Sequence, residues 1–149
     1  MFQKTVNTFS APGIAGDFYD ESPRRVQPAI ANGVVTIGNP VWYSDATTDP
    51  LKVTASAGAT LLGVVVNGKE LVRANGLTAG LDVASGSVVS VCTMGRVWIK
   101  VATDVTVGDT IHFDASTGEY SNTASVSNPI GKAVIVNAAA GEMAVVEIG

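Results

Sequence analysis

The sequence predicts an all-β fold, either a sandwich or a barrel, preceded by an extended N-terminal arm. No segment longer than about ten residues repeats its apolar positions with a helical period, so no long helix is expected. After residue 32, short apolar runs alternate with turn residues at spacings near the ~8–12 residues typical of sandwiches and barrels. We assign the arm to residues 1–31 and the β-sandwich domain to residues 32–149.

The arm differs from the rest of the chain in composition. Residues 1–28 contain Tyr19, three of the four phenylalanines and half of the six prolines, namely Phe2, Phe9, Phe18, Pro12, Pro23 and Pro28. Dense prolines oppose a regular helix or a central strand, whereas large aromatic side chains favour contact with an apolar surface. We therefore expect an extended segment that lies either on its own domain or on another subunit.

The first strands are expected soon after the Asn32-Gly33 turn signal. They occupy residues 34–37, 41–43 and 53–55, and are separated by Gly-Asn-Pro and Asp-Pro turns. Residues 61–66 form the most apolar run, and we expect them to be buried on both faces in the middle of a sheet. A short helical turn near residues 70–74 is the best helical candidate.

The second half of the chain contains the remaining strands. Residues 87–94 and 96–102 flank Gly95, which predicts a bulge or sharp bend instead of a long loop. Val97, Ile99 and Val101 alternate with Trp98 and Lys100, the pattern of a half-buried strand. Further strands are expected around Ile111 and Phe113, at Tyr120, and at residues 130–136 and 142–148.

Composition excludes several classes of function. The chain has 149 residues, a net charge of -4 and only 15% charged residues, against ~25% in typical globular chains. The acidic balance argues against a nucleic-acid partner, and no apolar run is long enough for a membrane span. The N-terminus lacks the pattern of a signal peptide, and the single cysteine forms no intrachain disulfide. A surface short of charge is expected to be partly covered by a partner.

No catalytic, cofactor or metal site is predicted. The chain has one histidine, His112, and one cysteine, Cys92, so it cannot form a thiolate or imidazole cluster. Cys92 is interpreted as a small hydrophobic strand residue, and His112 as a solvent-facing strand residue. The carboxylates Asp45 and Asp49 are interpreted as loop residues. The oxygen-bearing side chains Asp109, Asp114, Ser116 and Glu119 lack EF-hand spacing and suit turns.

An ordered set of motifs carries a family resemblance. It comprises residues 11–18, 22–25, 36–41, 62–70, 93–99, 107–111 and 130–133. In this order they resemble the structural cement, or capsid decoration, proteins of tailed bacteriophages. The resemblance implies a jelly-roll-like β-sandwich that binds the outer surface of the major capsid shell and bridges neighbouring capsid subunits. It also implies a virion protein made in the host cytoplasm, a homo-oligomer (a dimer in preference to a trimer), no cofactor and no catalysis.

The arm supplies the candidate interface residues. They are Phe2, Phe9, Phe18, Tyr19, Arg24 and Arg25. Aromatic anchors supply much of the binding energy at interfaces, and arginine is the usual interface cation. The alternative is that the arm covers an edge of its own sandwich. The compact charged group in the arm is interpreted as a solvated turn; it consists of Asp17, Asp20, Glu21, Arg24 and Arg25.

A second hypothesis is a carbohydrate- or receptor-binding module of a virion. In that case Trp42, Tyr43 or Trp98 would be exposed along one open groove and would stack on sugar rings. Burial of these aromatic side chains would remove the hypothesis. A small hydrolase built on His112 ranks last.

Overall fold

The computed structural model describes residues 14–20, 22–67, 81–124 and 128–149. Within these ranges the chain forms eleven strands and no helix, which confirms the all-β class. The candidate helical turn at residues 70–74 lies outside the described residues. The strands are β1 Arg25–Ala31, β2 Val35–Thr36, β3 Pro40–Asp45, β4 Asp49–Thr54, β5 Leu61–Val66, β6 Asp82–Val83, β7 Val88–Lys100, β8 Thr110–Asp114, β9 Glu119–Ser121, β10 Pro129–Ala133 and β11 Met143–Ile148.

The longest strand, β7, has 13 residues and is shared by two parts of the fold. Its first half pairs with β1 and with β5, and its second half pairs antiparallel with β11 from Gly95 to Lys100. Residues 16–19 also hydrogen-bond to the second half, between Arg96 and Trp98. Residues 16–19 and 25–30 therefore lie beside β7 and together cover most of its length.

Five strands close into a small barrel. The pairings run from β1 to β4, β3, β5 and β7, and β7 then pairs back with β1. The β1–β4 pair is parallel and the others are antiparallel. Closure gives each of these five strands a partner on both sides, although β1 pairs with β4 only at Ile30 and Ala31. The barrel interior is filled mainly by valine and alanine, including Ala29, Val53 and Val91, all at most 2% exposed.

A second sheet continues from the barrel in the order β7, β11, β10, β8 and β9. An isolated parallel bridge between Val101 and Tyr120 brings β9 back beside the end of β7. The larger apolar core lies between this sheet and the outer face of the barrel. The buried Tyr120 hydroxyl donates a hydrogen bond to the Gly38 carbonyl oxygen at 2.6 Å, which ties the two parts together.

The apolar run at β5 is buried on both faces, as predicted. Val64 and Val66 belong to the larger core, whereas Val65 belongs to the barrel interior. Successive side chains of a strand point to opposite faces, so a strand between two cores has no solvent face. This position explains the continuous apolar sequence.

The prediction for Gly95 is also confirmed. The two runs on either side of it form one continuous strand, and Gly95 has φ of 144°. A Cβ at this position would lie 3.2 Å from the Cys92 sulfur. Glycine therefore lets β7 turn from its barrel partners toward β11 without a steric conflict.

Two expectations are not confirmed in the form in which the sequence predicts them. The arm was expected to extend to residue 31, but Arg25–Ala31 forms β1, a strand of the barrel that includes Pro28. Proline and alanine give a weak strand signal, and here pairing with β7 along most of the strand, and with β4 at Ile30 and Ala31, decides the conformation. The jelly-roll sandwich is not confirmed, because the strand order closes a barrel instead of forming two facing sheets.

Gly63 provides a test of the barrel packing. A Cβ at residue 63 would overlap the Cys92 carbonyl oxygen. Gly63→Ala should therefore lower the free energy of unfolding by about 1–3 kcal/mol. Gly58→Ala is the matched control, since its Cβ would meet only ordinary contacts at 3.7 Å or more. Urea denaturation would measure both variants. Equal midpoints for the two variants would contradict the described approach of β5 to β7.

Candidate functional site

The first described residues extend the sheet beside the second half of β7. The Gly16 amide donates to the Trp98 carbonyl oxygen at 3.0 Å, and the Trp98 amide donates to the Asp17 carbonyl oxygen at 2.9 Å. The Tyr19 amide donates to the Arg96 carbonyl oxygen at 2.9 Å. This part of the predicted arm is therefore hydrogen-bonded to its own chain, which agrees with the alternative that the arm covers an edge of its own domain.

The two aromatic residues of this segment also contact their own chain. Phe18 is half-buried and packs against the larger core. Tyr19 meets the Trp98 ring edge-to-face, with the ring centroids 5.6 Å apart. Such aromatic pairs add ~0.5–1.5 kcal/mol beyond the area that they bury. Phe2 and Phe9, the other two aromatic interface candidates, lie outside the described residues.

Charges hold the segment in place as well. The Arg96 guanidinium lies 3.2 Å from a carboxylate oxygen of Asp20 and 3.2 Å from one of Glu147. The hydrogen bond to Glu147, followed by the charges of both acids, raises the pKa of Arg96. Hydrogen bonds from Ser22, followed by the charge of Arg96, lower the pKa of Asp20. Glu21 lies outside the described residues.

Arg24 and Arg25 remain exposed to solvent. The Arg24 guanidinium lies 4.2 Å from the centroid of the Phe18 ring, in a cation–π contact. In the described part of the chain, no carboxylate lies within 4 Å of either guanidinium. Phe18, Tyr19 and Arg24 are thus brought together near β7, and Arg25 begins β1.

The residues considered for catalysis are placed apart from one another. Cys92 is fully buried beside the Gly95 bend, and its thiol donates to the Met94 carbonyl oxygen at 3.1 Å. His112 lies in β8, half-buried, and its Nδ1 has no hydrogen-bond partner within the described residues. Asp45 accepts hydrogen bonds from the amides of Thr47 and Thr48, as a turn carboxylate does.

The oxygen ligands considered for calcium also serve turns. Asp109 accepts from the Thr106 amide, and Asp114 accepts from the amide and hydroxyl of Ser116. These hydrogen bonds lower the pKa of both carboxyls. Over residues 14–20, 22–67, 81–124 and 128–149, no three metal-ligating side chains converge.

The aromatic residues considered for sugar binding do not line an open groove. Trp42 is 2% exposed and Trp98 is 7% exposed. Trp42 packs beside Phe113 in the larger core, and Tyr43 is half-buried on β3. Stacking on a sugar ring needs an exposed aromatic face, so these three residues do not support a carbohydrate site.

A groove of about 560 Å³ was not expected from the sequence. Its walls come from the Gly38 turn, the end of β7 and the turn before β9, and its lining includes Ile37, Leu81 and Tyr120. Its charged lining residues are Lys100 and Glu119. The Tyr120 hydroxyl is already bonded to Gly38, and burial raises the pKa of this phenol well above its ordinary value.

The sequence does not predict that Arg96 holds the N-terminal segment in place through Asp20. Arg96, Trp98 and Lys100 occupy alternate positions of β7, and this alternation is the signal that places them on one face. It does not show that the N-terminal segment covers part of that face.

Within the described residues, no helix is long and apolar enough to cross a membrane.

The burial of Cys92 predicts a slow reaction with thiol reagents. Burial raises the pKa of this thiol above its ordinary value, so less of it is thiolate near pH 8 than for an exposed cysteine. We expect the native protein to be labelled at least about 100-fold more slowly than the protein in urea. The labelling rate is measured from the absorbance of the thiolate that the reagent releases. Rapid labelling of the folded protein would contradict the described position of Cys92.

Comparisons with known proteins agree with the resemblance seen in the sequence. The family model described as "Structural cement protein (E217 gp24/Pam3 gp6)" matches residues 2–149. The fold is similar to a chain of "The capsid of Myoviridae Phage XM1", with a TM-score of 0.66 and 16% identity over 99% of this chain and 97% of that chain. A weaker match is the head fiber gp8.5 N base of bacteriophage phi29, with a TM-score of 0.48 and 19% identity over 85% of this chain and 95% of that chain.

No match was found among curated proteins. The likeness to the phage XM1 capsid chain concerns the fold, since the sequence identity is low. The family model, in contrast, compares sequence and spans nearly the whole chain. On this ground the protein belongs to the structural cement protein family of phages.

Proposed function

We propose that this cement protein binds the outer surface of the major capsid shell, bridges neighbouring capsid subunits and so stabilises the head. The observation that carries the proposal is the family match over residues 2–149. We propose a purely structural role with no catalysis, and a homo-oligomer, a dimer in preference to a trimer. The low charge of the chain supports this proposal, since interface cores are poor in charged residues.

The arm that reaches a neighbour is proposed to be shorter than the sequence indicated. Gly16, Asp17 and Tyr19 hydrogen-bond to β7 of the same chain, and residues 25–30 pair with it, so both stretches belong to the body of the protein. The 13 residues before Ile14 contain Phe2 and Phe9 and span at most about 45 Å when extended. We propose that these two phenylalanines anchor on a neighbouring capsid or cement subunit.

The remaining candidates then have a supporting role. Phe18 and Tyr19 fix the base of the arm through the core and through Trp98. Arg24 and Arg25 stay available to acidic groups of a partner, because neither has a carboxylate within 4 Å in the described part. An arm with a fixed base loses less conformational freedom on binding than one that is free along its whole length.

Co-sedimentation with undecorated expanded capsids tests the role of the arm. Full-length protein should pellet with the shells, and a variant lacking residues 1–13 should bind at least about tenfold more weakly while keeping its β-sheet circular dichroism. A variant lacking residues 1–28 should instead unfold, because it loses the first part of β1, which closes the barrel.

The possible outcomes separate the claims. Failure of the full-length protein to pellet would contradict capsid binding. Full affinity of the variant lacking residues 1–13 would show that the arm does not contribute. A folded variant lacking residues 1–28 would contradict the assignment of β1 to the barrel.

A further inference from the structure

One face of the barrel carries an exposed apolar strip formed by β1 and the start of β7. The strip consists of Val26, Pro28 and Val88, with Val26 43% and Val88 51% exposed. The strands pair so that Ile30 lies opposite Val88 and Pro28 opposite Ser90. Alternate residues of a strand share a face, so these side chains point away from the barrel interior.

The opposite face of the same two strands already supplies the barrel core. Ala29 and Ala31 of β1 and Val89 and Val91 of β7 fill the barrel and are at most 2% exposed. The core therefore uses one set of alternate positions. The strip occupies the other set, where a strand facing water would be expected to carry polar side chains.

Two cations lie at one end of the strip. Arg25 is the first residue of β1, and Arg24 precedes it with its guanidinium over the Phe18 ring. A guanidinium stacked on a ring keeps the N–H groups at its edge free for a carboxylate. At the other end, Lys52 lies opposite Ile30, but it is 3.2 Å from Asp49.

This charge arrangement distinguishes between partners. In a two-fold contact between two copies, the Arg24 and Arg25 pair would face either its own counterpart or the Lys52 end. Among the residues that the structure describes, neither end offers an unpaired carboxylate, and like charges across an interface are unfavourable. A partner with carboxylates beside an apolar surface would match both the strip and the arginines.

We propose that the strip, with Arg24 and Arg25, docks on an apolar surface of the major capsid protein that is bordered by carboxylates. The inference rests on the proposed function and names a second contact surface, distinct from the arm. β1 pairs with β7 from Arg25 to Ile30 and with β4 at Ile30 and Ala31, so this surface is held in place before binding. A preformed surface loses little conformational entropy on association.

Capsid binding by four full-length variants tests the strip. Val88→Glu places a charge in the strip, and Val107→Glu is its control, at a residue 48% exposed outside the strip. Arg25→Glu reverses a strip cation, and Lys132→Glu is its control, at an exposed lysine of β10. We expect Val88→Glu and Arg25→Glu each to weaken capsid binding at least about tenfold, with both controls close to wild type.

The salt dependence of capsid binding and the oligomer mass of each variant distinguish a contact with the capsid from a contact between copies. Wild-type affinity should fall between low and moderate salt, and Arg25→Glu should show a smaller fall, since screening acts on charge pairs at the rim. Circular dichroism and sedimentation velocity report whether each variant stays folded and keeps the wild-type mass.

Each outcome supports or overturns a defined claim. Normal binding by folded Val88→Glu and Arg25→Glu would overturn the strip proposal and leave the proposed function intact. A change in oligomer mass with unchanged capsid affinity would overturn it in favour of a contact between copies. Failure of the wild-type protein to bind capsids would overturn the proposed function and the strip proposal together.

Discussion

The fold depends on the hydrogen bonding of one strand, β7. Its first half closes the five-stranded barrel between β1 and β5, and its second half begins the second sheet through β11. A backbone that pairs along both edges leaves few amide or carbonyl groups unsatisfied as it passes between two cores. Gly95 allows the change of partners within a single strand. The barrel and the second sheet therefore share structure and are not two separate units.

This arrangement explains where the charge is scarce. No charged residue occurs from Val53 to Gly68, a stretch that contains β5 with both faces buried. From Ala133 to Gly149, which contains β11, only Glu142 and Glu147 are charged. β5 and β11, which pair with β7, are largely enclosed, and an enclosed charge is costly unless it is paired. Low charge thus reflects two cores in a small chain as much as an outer surface covered by partners.

Much of the fold could be predicted from sequence because the signals were local. The apolar run of β5, the strand pattern of β7 and the glycine at its bend each follow from side-chain pattern, and the structure confirms them. The half-buried character of β7 is not confirmed at Trp98, which is buried and packs against Tyr19. The sequence does not predict β1, because its one proline and two alanines give no strand pattern and its pairing partners lie about 20 and 60 residues away. The same long-range pairing fixes Tyr19 on Trp98, so the anchored part of the arm required the structure as well.

Native-state hydrogen exchange along β7 tests the shared-strand account most directly. The account predicts that the amides of Val89 and Val91 in the barrel half and of Val97 and Ile99 in the second half exchange only through global unfolding. They should then show one opening free energy and one denaturant dependence. A lower opening free energy and a weaker denaturant dependence for Val97 and Ile99 alone would contradict it, because the second sheet would then open independently of the barrel.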